Sequence, residues 1–243
     1  MKDIQNLQDH RRISIEQVGV KEISYPVTVL DKAHSLQHSV ARVNMSVNLP
    51  HHFKGTHMSR FIEALNKFHG EVNLPSLKRF LEEMRERLKA EQSHLEIEFP
   101  FFRGKGGSPS RPRNSYQCRM RGESSSGQDI TLDIKVPIAP PTPVQTRLGM
   151  PESLGHWGDA NISLRFRHFI WIEEIIDLVE EVTSHDLYWS PEEGKPANSP
   201  LSVESLAQKL GQRLSEHEAI RWFAVTVENL ARGYTTFATI EGP

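Results

Sequence analysis

One order of elements occurs twice in this chain, and it restricts the fold more than any other feature. Residues 18–30 and 36–49 read as strands; in the second, Val43, Met45 and Val47 recur every two residues. A helix is expected from Thr56, whose hydroxyl can cap it, with Phe61, Leu65 and Phe68 on one face. A second follows Pro75, where Leu77, Phe80, Leu81, Met84 and Leu88 fall three and four apart. Strands are expected over 95–102, where Leu95, Ile97 and Phe99 alternate with Glu96 and Glu98, and over 115–122. The same sequence of elements then repeats. Strands are predicted at 130–138 and around Ile162, Leu164 and Phe166, helices at 171–183 and 203–214, and strands at 220–230 and 234–240.

The expected order is thus β-β-α-α-β-β within 18–122 and again within 130–240. The halves share this pattern without residue-level identity. Short turns between strands favour antiparallel pairing, with the helices layered on one face. The fold class is α+β, divided as 1–125 and 126–243. Such a half leaves sheet edges and a helix-free face exposed, which favours assembly with other copies of the chain.

Composition removes several function classes. Lysine and arginine total 29 against 31 acidic residues, so the net charge is −2. A phosphate-backbone binder usually carries a basic excess, and nucleic acid is not an expected partner. No apolar run approaches the ~20 residues of a membrane span, and no apolar signal core opens the chain, so a cytoplasmic protein with no membrane partner is expected. Cys118 is the single cysteine, which excludes an intrachain disulfide and any zinc site using two thiolates of this chain.

The richest local chemistry lies between residues 49 and 61. Lys54, His57 and Arg60 surround a glycine at an expected helix N-terminus, where free N–H groups and the helix dipole favour an anion. His57 has the side chain to move a proton near neutral pH. The alternative is a plain helix cap with solvated basic residues, and spacing alone favours it. His34 and His38 flank a strand start, too far apart to chelate readily. The Gly/Pro/Ser/Arg stretch 103–113 has a nucleic-acid-like composition without interleaved aromatics, and reads as a hairpin loop. Glu173, Glu174, Glu180 and Glu181 are expected on the solvated face of their helix.

Asp3-Ile-Gln, Asp9-His-Arg, Val18-Gly-Val-Lys, Tyr25-Pro, Gln37-His-Ser-Val-Ala and the run Lys-Gly-Thr-His-Met-Ser-Arg-Phe over 54–61 together resemble the type IB GTP cyclohydrolases. The likeness covers nearly the whole chain and weakens after residue 100. It implies the tunnelling fold, in which β-β-α-α-β-β units assemble into barrels, and a homotetramer with purine sites at its interfaces. It also implies conversion of GTP and water to 7,8-dihydroneopterin triphosphate and formate, for folate or related pterin synthesis, with a divalent zinc, manganese or iron ion.

By the same resemblance, Glu204 in Asn-Ser-Pro-Leu-Ser-Val-Glu-Ser (198–205) inherits the role of purine anchor, Lys54, Thr56 and Arg60 contact substrate, and His57 is the catalytic candidate. Without the resemblance, Glu204 is an acidic residue in the first turn of a helix, favoured by the dipole. The metal positions depart from the family. Its Leu-Cys-Pro-Cys-Ser stretch corresponds to Ala139-Pro-Pro-Thr-Pro here, its Gly-Ala-His-Asn to Gly158-Asp-Ala-Asn, and its C-terminal Glu and two His to Ala231, Tyr234 and Thr236. Glu193 is the one metal-ligand candidate retained, with His156 and Asp159 as polar substitutes nearby. A single glutamate cannot hold an ion that normally takes three protein ligands, so the bound metal and turnover through it are both in question. Three readings follow: a cyclohydrolase with a rearranged site, a non-catalytic purine or pterin binder, and a structural subunit beside an active relative.

Overall fold

The computed structural model describes residues 14–49, 57–103, 114–125, 128–138, 157–185 and 202–243. Contacts group the chain into two compact units, 1–132 and 133–243, with the division inside a strand. The first unit holds β1 (Ile15–Asp31), β2 (Ser35–Leu49), α1 (Met58–Phe68), β3 (Glu71–Val72), α2 (Leu74–Arg87), β4 (Ser93–Arg103) and β5 (Asn114–Ser124). The strand β6 (Gln128–Ile138) crosses the division. The second unit continues with β7 (Gly158–Phe166), α3 (Ile172–His185), α4 (Val203–Ser215), β8 (Ile220–Leu230) and β9 (Thr235–Gly242).

In the first unit the strands lie in the order β3-β1-β2-β4-β5. The pairs β1/β2, β2/β4 and β4/β5 are antiparallel, in registers that set Val43 opposite Ile97 and Ile97 opposite Met120. One face buries Val27, Val29, Ala41, Val43, Met45, Leu95, Ile97, Phe99, Phe101, Tyr116 and Cys118. Alternation along β4 places every second residue there, because successive strand side chains point to opposite faces. The helices cover this face. Phe68 of α1 stacks on Phe80 of α2 with ring centroids 4.9 Å apart, and the Tyr25 hydroxyl donates to the Leu65 carbonyl at 3.1 Å. Ser93 Oγ donates to the Leu81 carbonyl at 2.7 Å, which ties β4 to α2. On the other face Leu36, Val40 and Phe102 are exposed beside a charged band that includes Arg42, Glu96, Glu98 and Arg119.

The short β3 was not legible as a strand. It pairs parallel to β1 through Thr28 and Val29, and the turn before it needs Gly70. There φ is +74° and a Cβ would lie 2.4 Å from the Pro26 carbonyl oxygen. The start of α1 also differs from expectation. Its N-cap is His57, with extended backbone and no side-chain cap bond, and Thr56 lies outside the described residues. Asn73 caps α2 instead in the expected manner, accepting from the Ser76 N–H at 2.9 Å.

The second unit repeats the plan. Its strands lie in the order β6-β7-β8-β9, with β7/β8 and β8/β9 antiparallel. Ala160, Ile162 and Leu164 of β7 face the same side as Val227, Val225 and Phe223 of β8, all buried. α4 lies over this side. A Cβ on its Gly211 would meet Ile240 of β9 at 3.1 Å and Phe223 at 3.6 Å. Buried Ile175, Ile176 and Val179 of α3 join the same core. Glu173 departs from the expected solvated face: it is 7% exposed, because it stands three residues ahead of Ile176 and so on the core-facing stripe.

Candidate functional site

The candidate residues fall in both units. In the first unit, α1 begins at Met58 after His57, whose backbone is extended at φ −84° and ψ 115°. The His57 carbonyl accepts from the Arg60 N–H at 3.1 Å, the first turn of the helix. Arg60 Nη1 donates to the Arg87 carbonyl at 3.3 Å, so its guanidinium reaches the last turn of α2, where carbonyl dipoles favour a cation. Arg87 in turn donates to Glu83 at 2.7 Å and lies 3.7 Å from Glu63. His57 and Arg60 are both half-buried. Lys54 and Thr56, the other two expected members of this group, lie outside the described residues.

In the second unit, Glu204 is exposed in the first turn of α4. Its carboxyl is held below the ordinary glutamate range by its own backbone N–H, then by the Ser202 hydroxyl, with slight desolvation acting the other way. A carboxylate so placed is fully ionised at neutral pH and open to solvent, as acceptance of N–H groups from a ligand requires. Ser202 is the residue that reading the sequence passed over. Its position immediately before an apolar-periodic helix is the signal that identifies an N-cap.

On the sheet side away from α4, Asp159 of β7 sits opposite Glu228 of β8. Asp159 is 4% exposed and pairs with Lys135 Nζ at 2.9 Å. Next along the sheet, Ser163 Oγ donates to Asp133 at 2.7 Å. Trp157 and Gly158 open β7 against β8. The Asn229 side-chain amide donates to the Trp157 carbonyl at 2.8 Å, and Leu230 N–H donates to the same oxygen at 3.1 Å. Backbone approaches so closely there that a Cβ on Gly158 would lie 1.8 Å from the Glu228 carbonyl oxygen.

The donor positions that the resemblance implies for a metal do not fit one. Ala160 has 0% exposure, its methyl group turned into the helix-covered core. Ala231 and Tyr234 lie in the exposed β8–β9 connection, and Thr236 pairs with Asn229. Residues 139–143 offer proline, alanine and threonine, none a strong ligand for a transition ion, and with Glu193 and His156 they lie outside the described residues. Among the described residues no group of three or more His, Cys, Asp or Glu side chains is placed to hold an ion. His34 and His38 do not come together as ligands. His34 contacts Asp31 and His38 contacts Thr28 Oγ1, each at 3.3 Å.

Comparison with solved structures places the fold. The chain matches a uricase from Bacillus fastidious with a TM-score of 0.60 over 93% of each chain at 10% identity. It matches the uricase from Arthrobacter globiformis with a TM-score of 0.53 over 93% and 92% at 12% identity. At such identities the likeness carries the architecture alone, and that architecture is the tunnelling fold, in the α+β class. Sequence relatives are nearer. A protein named GTP cyclohydrolase FolE2 from Syntrophus aciditrophicus is 38% identical over 255 residues, covering 99% of each chain. One of the same name from Pelobacter propionicus is 39% identical over 254 residues, covering 99% and 98%. The type I GTP cyclohydrolase folE2 family pattern matches residues 1–231, and the chain belongs to that family.

Proposed function

We propose that this protein binds GTP and acts as a GTP cyclohydrolase, opening the purine with water to give 7,8-dihydroneopterin triphosphate and formate for pterin or folate synthesis. The observation that carries this is the family match along nearly the whole chain, together with relatives of that name at 38% and 39% identity. Glu204 is the purine anchor. Its ionised carboxylate accepts from the N1–H and 2-amino groups of guanine, a charge-assisted pair of bonds. Lys54, Thr56 and Arg60 take the triphosphate beside the start of α1, and His57 moves a proton there. The protein works as a homo-oligomer, a tetramer, in the cytoplasm, and it uses neither nucleic acid nor membrane. No helix among the described residues is long and apolar enough to cross a bilayer.

A bound divalent ion would supply a water of lowered pKa to such a reaction. Glu193 is the one residue proposed as its ligand, and the side chains at the remaining donor positions do not fit an ion. That misfit favours a second reading: a paralogue that binds a purine or pterin without turning it over, or a structural subunit. One assay separates the readings. Purified protein is supplied in turn with zinc, manganese or iron and incubated with GTP; pterin fluorescence is read after oxidation, and metal content on the same sample. Pterin formation supports the cyclohydrolase. A GTP-dependent rise in melting temperature without pterin supports the binder, since a ligand that binds only the folded state stabilises it. Neither response leaves the structural subunit and overturns both GTP readings.

A further inference from the structure

On the sheet side away from α4, the second unit sets three side chains in one cross-strand row. Asp159 of β7 stands opposite Glu228 of β8, and Glu228 stands opposite Phe237 of β9. Residues so paired hold their side chains about 5 Å apart on one face, where like charges repel. Lys135 Nζ, 2.9 Å from Asp159, compensates that carboxylate. Glu228 is half-buried, and among the described residues no hydrogen bond or ion pair reaches its carboxylate. The surface beside it is apolar. Phe237 is 68% exposed, and Leu230, two residues along β8 and so on the same face, is 48% exposed. Tyr234, 67% exposed, follows in the β8–β9 connection, which the Ala231 N–H closes by donating to the Tyr234 carbonyl at 3.1 Å. The next row along the strands is polar again, with the Thr226 and Thr239 hydroxyls 2.9 Å apart. A carboxylate facing another carboxylate and a cluster of exposed apolar side chains are both unfavourable, and one bound group would relieve both.

We propose that this row is a second ring site, taking a flat heterocycle with a 2-amino group beside a ring N–H, the edge that guanine and pterins share. The ring lies on Phe237, with Leu230 beside it and Tyr234 at the hairpin end. The Glu228 carboxylate accepts the two N–H groups side by side, a charge-assisted pair. Stacking on an aromatic side chain tolerates any flat ring, so the carboxylate supplies the selection. Three apolar side chains match one ring, whereas a stable protein interface draws on about 20–30 residues a side. α4 lies over the opposite side of the sheet, so Glu204 and Glu228 of one copy serve different rings. The choice of ring rests on the proposed handling of GTP and pterin, and the row itself does not involve Glu204.

The test is a fluorescence titration of the full chain with pterin (2-amino-4-oxopteridine) and with lumazine, the same ring with oxygen in place of the 2-amino group. It is run on the wild type, on Glu204→Gln, and on Glu204→Gln combined with Glu228→Gln or Phe237→Ala. Glu204→Gln should still bind pterin, and should bind lumazine at least tenfold more weakly, because lumazine turns an acceptor toward the carboxylate. Adding Glu228→Gln or Phe237→Ala should weaken pterin binding by about tenfold each, the worth of one bond to a charged group and of one stacked ring. Melting temperatures check folding; should Phe237→Ala not fold, Phe237→Leu removes the ring and keeps the apolar bulk. If Glu204→Gln alone abolishes pterin binding, or the added substitutions change nothing, the second site is wrong and the anchor reading is untouched. Equal affinity for lumazine removes Glu228 from the recognition and overturns the proposal. A wild type that binds no pterin overturns it as well, and a fall in assembly mass on Phe237→Ala would then make the patch a contact between copies. Pterin bound here but never formed from GTP keeps the site and removes the cyclohydrolase reading.

Discussion

Asp31 closes the β1–β2 turn while 5% exposed. Burial alone would raise its carboxyl, but the backbone N–H of His34, that of Ala33, the Gln37 amide and the His34 ring outweigh it, and the net shift is downward. Gln37 extends the link, donating to the Phe102 carbonyl at 2.8 Å and accepting from the Phe102 N–H at 2.7 Å, so the turn is fastened to the end of β4. A carboxyl lowered in the folded state stabilises the fold above its unfolded pKa, and that stability is lost as the pH falls through the folded value. Asp31→Ala should therefore cost about 1.5–3 kcal/mol at pH 7, the range for hydrogen bonds to a charged group. The deficit should shrink on acidification below the ordinary carboxylate range; denaturant melts of both proteins from pH 7 to pH 3 check it. A deficit constant over that range would contradict the assignment. Gly158→Ala is a second residue-scale expectation. With a carbonyl oxygen 1.8 Å from the new methyl carbon, backbone must move, and a clear fall in melting temperature should follow.

At the scale of elements, the two helices of the first unit differ at their N-termini. Asn73 caps α2 through its side chain, and Asn73→Ala should cost about 1 kcal/mol in denaturant melts. His57 makes no such bond for α1, so His57→Asn should stabilise the protein by about 0.5–1 kcal/mol while weakening GTP binding if His57 serves the site. A stability gain with unchanged GTP binding would remove His57 from the candidate list. These ends also mark where reading the sequence succeeds. Periodicity places each helix and long strand, because burial of one face imposes a spacing of two on β4 and of three and four on α2. It misses β3, which is two residues held by the flank of β1. It misplaces Glu173, because a carboxylate on the core stripe breaks the pattern being read. Glu204 is legible as a first-turn acid, because its residue type and its place at a helix start suffice to show it.

For the whole molecule, each unit carries a packed core of its own. Phe99 is fully buried in the first, and Phe99→Ala should cost about 3–5 kcal/mol by leaving a cavity. In the second, Phe223 packs against both Gly242 and Gly211. The repeat of strand pair, helix pair, strand pair was readable from hydrophobic spacing alone, whereas the ligand was not. Architecture tolerates many substitutions that preserve an apolar face, while chemistry depends on single atoms. Light scattering on purified protein should return the mass of four chains if the proposed tetramer forms; a monomer at micromolar concentration would remove it.

The buried methyl of Ala160 limits what can be written at that position. Writing histidine at that position would drive an imidazole between Val227 and the overlying helix layer, where the room is for one carbon, and would more readily break the second unit than create a ligand. A larger side chain there would take a shift of β7 against β8, so what this position can hold is set by the backbone as much as by the residue written on it.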